Sequence, residues 1–536
     1  MKTNLFLIGT AVLLLACSCN EVNNTEPEKA EAPKLISSEP ADGAKGIDYD
    51  KELKITFTYD QNIKCLYSDF AQIKVNNDAE VIKVNPFNTD LEITIGSLKG
   101  SSEYEITIPD GIVKGFKENQ EAAAGFKYTF TTKDAPIVVD PDDDVPEPQD
   151  NDAWNRMNEL GLGWNLGNHF DAFYNGSWAG DKFLYPDETC WGNGKVTAAT
   201  FTKLYLAGFR TVRIPITWLK MIGEAPDYKI DETWMNRIVQ VVGWARDAGL
   251  NVLINTHHDE DHYIGNEAMG HRWLNIMDAT KNEEVNKEVK EKIKGVWTNI
   301  ANAFKDEGDY LIFEGFNEIN DGNWGNSANS SDQAKVLNEW NQVFVDAVRA
   351  TGSKNAERWL GVPTYCTSIN FIADFVLPED PAGHLMVSVH SYDPYNYTIA
   401  ANLPQKLWGH TFTGNDDEKQ IRSLMATLHS NFVSKGIPVY LGEFGCSMRQ
   451  YDSKEWKSYK YYLEYFVKAS KSYGVPCFIW DNGNKGAGSE HHPYIDHATG
   501  SYIEHSKELI DVMVKAMYDN SSEYTLKSLY DNAPRP

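Results

Sequence analysis

The sequence predicts an eight-stranded β/α (TIM) barrel preceded by a small all-β sandwich. Three observations predict it. The chain has 536 residues, too many for one ordinary domain. From about 153 to 518, short apolar runs alternate with amphipathic stretches of helical period. From 34 to 133 the period is two, with turn signals between runs. Hydrophobic residues make up 42% and charged residues 24%, a globular composition.

Taken in order, the N-terminus comes first. Lys2 supplies a positive start, and Leu5 to Ala16 is almost wholly apolar and too short to span a bilayer permanently. It ends in Leu14-Leu15-Ala16-Cys17, which resembles a bacterial lipobox whose cysteine is acylated after cleavage. Residues 1–19 are therefore expected to be a lipoprotein signal, with Cys17 lipidated and Cys19 the second candidate. Residues 20–33 are polar and acidic, as a tether would be. These features imply a secreted lipoprotein at the outer membrane or cell surface of a Gram-negative bacterium. The other five cysteines are scattered, lack CxxC spacing and suggest neither a zinc site nor a disulfide framework.

In residues 34–133, runs such as Leu53–Phe57, Glu92–Ile95 and Tyr104–Ile108 alternate, and Asp42-Gly43 and Asp110-Gly111 mark turns. The opening Ser38-Glu39-Pro40-Ala41-Asp42-Gly43-Ala44 resembles bacterial Ig-like domains, and a spacer role is expected. Residues 134–150 carry proline and like charges and read as an extended linker.

The second domain is placed at 151–536. Its eight apolar runs are Gly161–Leu166, Phe209–Ile216, Asn251–Thr256, Leu311–Asn317, Arg358–Pro363, Leu385–His390, Ile437–Gly442 and Val475–Trp480. One intervening helix puts Val289, Ile293, Val296, Trp297, Ile300 and Phe304 on a single stripe. Gly208, Gly249, Gly436 and Gly474 each precede a strand, where left-handed caps belong. Eight repeats favour closure into a barrel over a doubly wound sheet.

Chemistry in such a barrel sits at the C-terminal ends of the strands. Asn165, Arg213, His257, His258, Asn317, Glu318, His390, Tyr392, Glu443 and Trp480 all fall there. Asn-Glu by itself signals little, since the pair recurs along the chain. Glu318 and Glu443 stand out because each follows an apolar strand run. Carboxyls on opposed strands can sit about 5 Å apart, the gap at which one attacks a sugar carbon and the other handles the proton. Glu314, four residues deeper than Glu318, reads as a structural acid. Trp178, Trp273 and Trp324 fall in loops and could be sugar platforms or ordinary loop packing. His258 and His262 are spaced for a metal, but no HxH or HExxH pattern accompanies them, so neither metal nor other cofactor is expected. A formal net charge of −27 argues against a nucleic-acid partner.

Over roughly 160 to 520 the chain resembles glycoside hydrolase family 5, and within it the endoglucanases and xyloglucanases of subfamily 4. The residues that carry this are Gly163-Trp164-Asn165-Leu166-Gly167-Asn168, Glu188-Thr189-Cys190-Trp191-Gly192, Thr211-Val212-Arg213-Ile214-Pro215, Asn255-Thr256-His257-His258, Gly315-Phe316-Asn317-Glu318, His390-Ser391-Tyr392, Gly442-Glu443-Phe444-Gly445 and Ile479-Trp480-Asp481. The resemblance implies Glu318 as acid/base and Glu443 as nucleophile, with Arg213 and Tyr392 holding Glu443 ionised. It further implies that Asn317 binds the sugar 2-hydroxyl, that His257 and His390 shape the cleavage subsite, and that Trp480 stacks under the sugar. The implied activity is retaining, endo-acting hydrolysis of β-1,4-glucan, whether cellulose-like, mixed-linkage or xyloglucan. Mannan or xylan hydrolysis on the same scaffold, and a non-catalytic surface glycan-binding lipoprotein, stay open at this point.

Overall fold

The computed structural model describes residues 30–117, 119–133, 140–261 and 271–536. The chain divides into two compact units, Met1–Val139 and Asp140–Pro536. Cys17, the signal reading of 1–19 and most of the 20–33 tether lie outside the described residues, as does His262.

The first unit packs two four-stranded sheets face to face. One has the order Leu35–Glu39, Leu53–Tyr59, Asp90–Gly96, Glu80–Phe87; the other, Ala44–Ile47, Phe126–Thr132, Glu103–Ile108, Lys74–Val75. The period of two sends Ile55, Phe57, Ile93, Ile95, Tyr104, Ile106, Tyr128 and Phe130 into the core between them. Their intervening residues stay partly or fully exposed.

The second unit is a closed barrel of eight parallel strands in chain order. They are Leu162–Leu166 (β1), Thr211–Ile214 (β2), Asn251–Asn255 (β3), Leu311–Glu314 (β4), Leu360–Pro363 (β5), Leu385–Ser391 (β6), Val439–Phe444 (β7) and Cys477–Asp481 (β8). Each falls within or across one of the eight apolar runs. The helix Glu283–Ala303 buries Val289, Ile293, Val296, Trp297 and Ile300 as its stripe requires, with Phe304 buried at its end. Gly208, Gly249, Gly436 and Gly474 have φ of 112°, 89°, 73° and 73°, so the expected left-handed caps are present. Between β5 and β6 the connection is made by the short 3₁₀ turns Tyr365–Thr367 and Ile369–Phe371.

The barrel interior is filled in layers. The lowest is apolar: Leu160, Leu253, Ile312, Met386, Tyr440 and Phe478 are all buried together. Tyr440 and Phe478 stack with ring centroids 5.5 Å apart. Two glycines make room for them. A Cβ on Gly163 would stand 2.0 Å from the Phe478 ring, and one on Gly361 would meet the Tyr440 hydroxyl. Above this floor the lining turns polar, with Asn165, Arg213, Asn255, Glu314 and Ser388 all fully buried.

Of the segment read as an extended linker, 134–139 lie outside the described residues. From Asp140 onward it belongs to the barrel unit. Pro141 is buried, Val145 packs on the barrel core, and Asp142 Oδ1 accepts from the Lys527 amide at 3.2 Å. Like charges and proline keep the segment from forming a helix, but they do not keep it off the protein surface.

Candidate active site

Arg213 organises the site from β2. Its side chain is fully buried, so each N–H needs a partner. Nε donates to Glu314 Oε2 at 2.8 Å, and Nη1 to Asn165 Oδ1 at 3.0 Å and Glu443 Oε1 at 2.7 Å. Nη2 donates to Asn317 Oδ1 at 2.8 Å. Glu314 is the structural acid its depth suggested: it also accepts from Asn255, Ser388 and Tyr440 at 2.9, 2.6 and 2.9 Å. Asn165 turns its amide down, donating to the Gly442 carbonyl at 2.9 Å. It acts as a strut under the site and not as a group facing a ligand.

The two glutamates converge. A carboxylate oxygen of Glu318, one of Glu443 and a ring nitrogen of His390 lie within 4.8 Å of one another. His390 Nδ1 is 2.8 Å from Glu318 Oε1 and 3.8 Å from Glu443 Oε1. Tyr392 OH donates to Glu443 Oε2 at 2.9 Å. Both oxygens of Glu443 therefore accept from strong donors, whereas Glu318 faces a single imidazole.

A bulge aims Glu443. Against β6, Val389 pairs with Leu441 but His390 pairs with Glu443, and against β8 the register slips over the same stretch. β7 thus carries one extra residue, Gly442. Tyr440 points into the barrel floor and Leu441 outward, so strict alternation would turn Glu443 away from Arg213. The extra residue restores it to the interior. A Cβ on Gly442 would lie 2.9 Å from His390 Nε2.

Electrostatics separate the groups. Burial pushes the Glu318 carboxyl up to about 7; Arg213 opposes this, and Glu260 and Glu314 add to it. Burial raises Glu443 as well, while His390, Arg213 and Tyr392 pull it back. The expectation that Arg213 and Tyr392 favour the ionised form holds for the sign of their effect, though burial outweighs them before a ligand enters. Burial holds His390 down to about 4, with Arg213 adding to the fall and the Glu443 and Glu314 carboxylates opposing it.

His257 is buried, and its ring lies parallel to Trp480 at 5.9 Å and 5°. Burial, with His258 and Arg213 adding, lowers its pKa well below the usual range. His258 is partly exposed and sits 3.5 Å from Glu260 and 4.0 Å from Asp171. Burial works against its charge, but those two carboxylates raise its pKa. An atom each of Asp171, His257 and His258 also come within 4.8 Å of one another. Asn255, Asp171 and Glu260 carry much of this support; Asn255 stood in the Asn255–His258 motif, but none of the three was assigned this supporting role from the sequence. Asn255 ends β3 two residues before His257 and could have been found by parity. Asp171 and Glu260 sit in loops, where no period marks them.

The loop tryptophans divide. Trp273 donates to Asp259 Oδ1 at 2.7 Å and is ordinary loop packing. Trp178 and Trp324 are more than half exposed.

Comparison with known proteins adds to this geometry. The family described as cellulase (glycosyl hydrolase family 5) matches residues 178–486, and the bacterial Ig-like domain matches 29–132. Endoglucanase A of Ruminococcus albus is 35% identical over 381 residues, covering 70% of this chain and 94% of that enzyme. A xyloglucan-specific endo-β-1,4-glucanase of Bacteroides ovatus is 35% identical over 336 residues, 60% of this chain and 63% of that protein. The solved structure of a broad-specificity endoglucanase (GH5-4) from Bacteroides salanitronis is 46% identical, with TM-score 0.64 over 70% of this chain and 96% of its own.

Proposed function

The chain belongs to glycosyl hydrolase family 5, and from that premise we propose a retaining, endo-acting β-1,4-glucanase whose nucleophile is Glu443 and whose acid and base is Glu318. The observation that carries the assignment is the close approach of the two carboxylates, with an oxygen of each and a His390 nitrogen within 4.8 Å. Retaining enzymes hold their carboxyls about 5–5.5 Å apart, and inverting ones leave a further gap for water. The glutamate with two strong donors suits attack, and the one raised to about 7 suits protonation.

The reaction runs in two displacements. A Glu443 oxygen attacks the anomeric carbon as the glycosidic C–O bond breaks, and the Glu318 proton goes to the departing oxygen. Glu318, now ionised, takes a proton from a water as that water's oxygen attacks the same carbon and the bond to Glu443 breaks. Asn317 spends its carbonyl on Arg213, which leaves its amide hydrogens for the sugar 2-hydroxyl. Trp480, lying in line with His257, offers a face for the sugar's C–H surface. Mannan and xylan are less favoured substrates, since the relatives are named for endoglucanase activity. A binding-only role does not need the carboxylate pair.

The test uses leaving groups. Glu318→Ala should lose about 10²–10⁴ in rate on polysaccharide while still forming a glycosyl-enzyme from an activated aryl glucoside; Glu443→Ala should lose both. With azide, Glu318→Ala should give the β-glycosyl azide and Glu443→Ala the α anomer. The opposite anomers would exchange the two roles.

The lipid anchor is part of the same reading: Leu14-Leu15-Ala16-Cys17 supports acylation at Cys17 and display on a Gram-negative outer membrane. Cys17→Ala should leave active protein in the soluble fraction. Undiminished membrane partitioning would assign the anchor to Cys19 or to another device.

A further inference from the structure

Away from the catalytic pair, the outer layer of the barrel carries an aromatic trough that the proposed reaction does not use. It lies along the helices Lys454–Ser472 and Ser506–Tyr518 as two hollows of about 360 and 190 Å³ that share Tyr451 and Trp456 as wall. One hollow meets the loops after β7 and β8 at Met448, Gly486 and Ala487. The other follows the first helix as far as Glu464. None of Arg213, Glu318, His390, Tyr392 and Glu443 borders either hollow.

The chain builds a rigid ring here. The turn Tyr451–Asp452 leads into Ser453, whose Oγ accepts from the Trp456 amide at 3.0 Å and fixes where the helix begins. Tyr451 is 44% exposed, whereas Trp456 is buried. The Tyr451 ring stacks on the His505 imidazole, with centroids 3.4 Å apart and planes within 11°. Trp456 stands edge-on to both, 5.3 Å from Tyr451 and 6.5 Å from His505. A ring in line with the stack would be farther from one partner than from the other by the whole stacking distance, so Trp456 sits beside the stack. Neither ring covers the outer face of Tyr451. That face is fixed before any ligand arrives, which lowers the cost of ordering it.

The rim is polar and of both signs. Tyr451 OH donates to Glu508 Oε1 at 3.3 Å, and Lys460 Nζ is 3.6 Å from Glu508 Oε2. Asp452, Lys457 and Glu464 complete it. Mixed donors and acceptors match the edge hydroxyls of a neutral sugar and give no single sign for a charged ligand. A flat ring inside such a rim suits the C–H face of a glucosyl unit. We propose that the Tyr451 trough is a second glucan-binding site, which holds a β-glucan chain on the outside of the barrel and does not cut it. That the sugar is a β-glucan rests on the glucanase reading above. A polymer held both here and in the cleft gains from the second attachment, and a short glucoside does not.

The test counts bound sugars. Full-length Glu443→Ala, titrated calorimetrically with a linear gluco-hexasaccharide, should lose one bound molecule per chain when Tyr451→Ala is added. In the otherwise wild-type chain, Tyr451→Ala should lower kcat/KM on insoluble glucan about three- to tenfold, the range one aromatic face supplies, and leave that on an aryl cellobioside within about twofold. Lys460→Ala, which leaves every ring in place, should weaken the second binding event by a smaller factor. A hexasaccharide count unchanged by Tyr451→Ala would overturn the site, as would equal losses on polymer and short glucoside. If the wild type cuts no glucan the glucanase reading falls, and the trough is still judged by whether Tyr451→Ala removes a bound hexasaccharide.

Discussion

At the scale of single residues, the informative number is the Glu318 carboxyl at about 7. In the free enzyme, kcat/KM should fall on the alkaline side with a midpoint near that value, as the acid loses its proton. Stability should respond in step. The folded state holds the Glu318 proton to higher pH than the unfolded chain does, so between 4.5 and about 7 the folded form carries the extra proton. Stability from this group is full below 4.5 and lost as pH rises through 7. Glu318→Gln should therefore abolish most activity yet melt higher than wild type at pH 8, by up to about 3 kcal/mol, with the gap closing towards pH 4. A lower melting temperature at pH 8 would show that the carboxylate is not destabilising there. The two glutamates were legible in the sequence because each ends an apolar run at a strand terminus. Glu260, which helps raise Glu318, was not: its effect comes from proximity across a loop, and proximity leaves no trace in spacing.

At the scale of elements, β7 shows what a run of apolar letters hides. Ile437–Gly442 announces a buried strand, and all eight barrel strands are announced the same way. Strands buried on both faces lose the polar–apolar alternation that would reveal which side each residue takes. The bulge at Gly442 was therefore invisible, although it decides where Glu443 points. Gly442→Ala should press on His390 Nε2 from 2.9 Å. The expected result is a loss of about 1–3 kcal/mol in stability, as for overpacking elsewhere, together with a fall in kcat of tenfold or more from displaced carboxylate and imidazole. Unchanged kcat with intact folding would mean that the bulge tolerates a side chain and that Gly442 is not what aims the nucleophile.

At the scale of the whole molecule, the two-part organisation was legible from the change of period, and the end of the acidic segment was not. Charge and proline predicted an extended chain, and extension is compatible with lying against a surface. A chain beginning at Asn151 would lack Pro141, Val145 and the Asp142 contact to the Lys527 amide. It should fold and hydrolyse soluble glucan, but melt a few degrees below one beginning at Asp140, since a lost hydrogen bond costs about 1 kcal/mol before the exposed apolar surface is added. Equal melting temperatures would return the whole of 134–150 to the role of free linker. The network at Arg213 bears on this scale too. One guanidinium from β2 reaches side chains of β1, β4, the residues just past β4, and β7, so it works as a hoop round the open end of the barrel as well as the electrostatic partner of the nucleophile. Chemistry and circumference share one rivet. An Arg213 variant thus cannot be assayed for catalysis alone, because loosening the charge also loosens the ring that holds it.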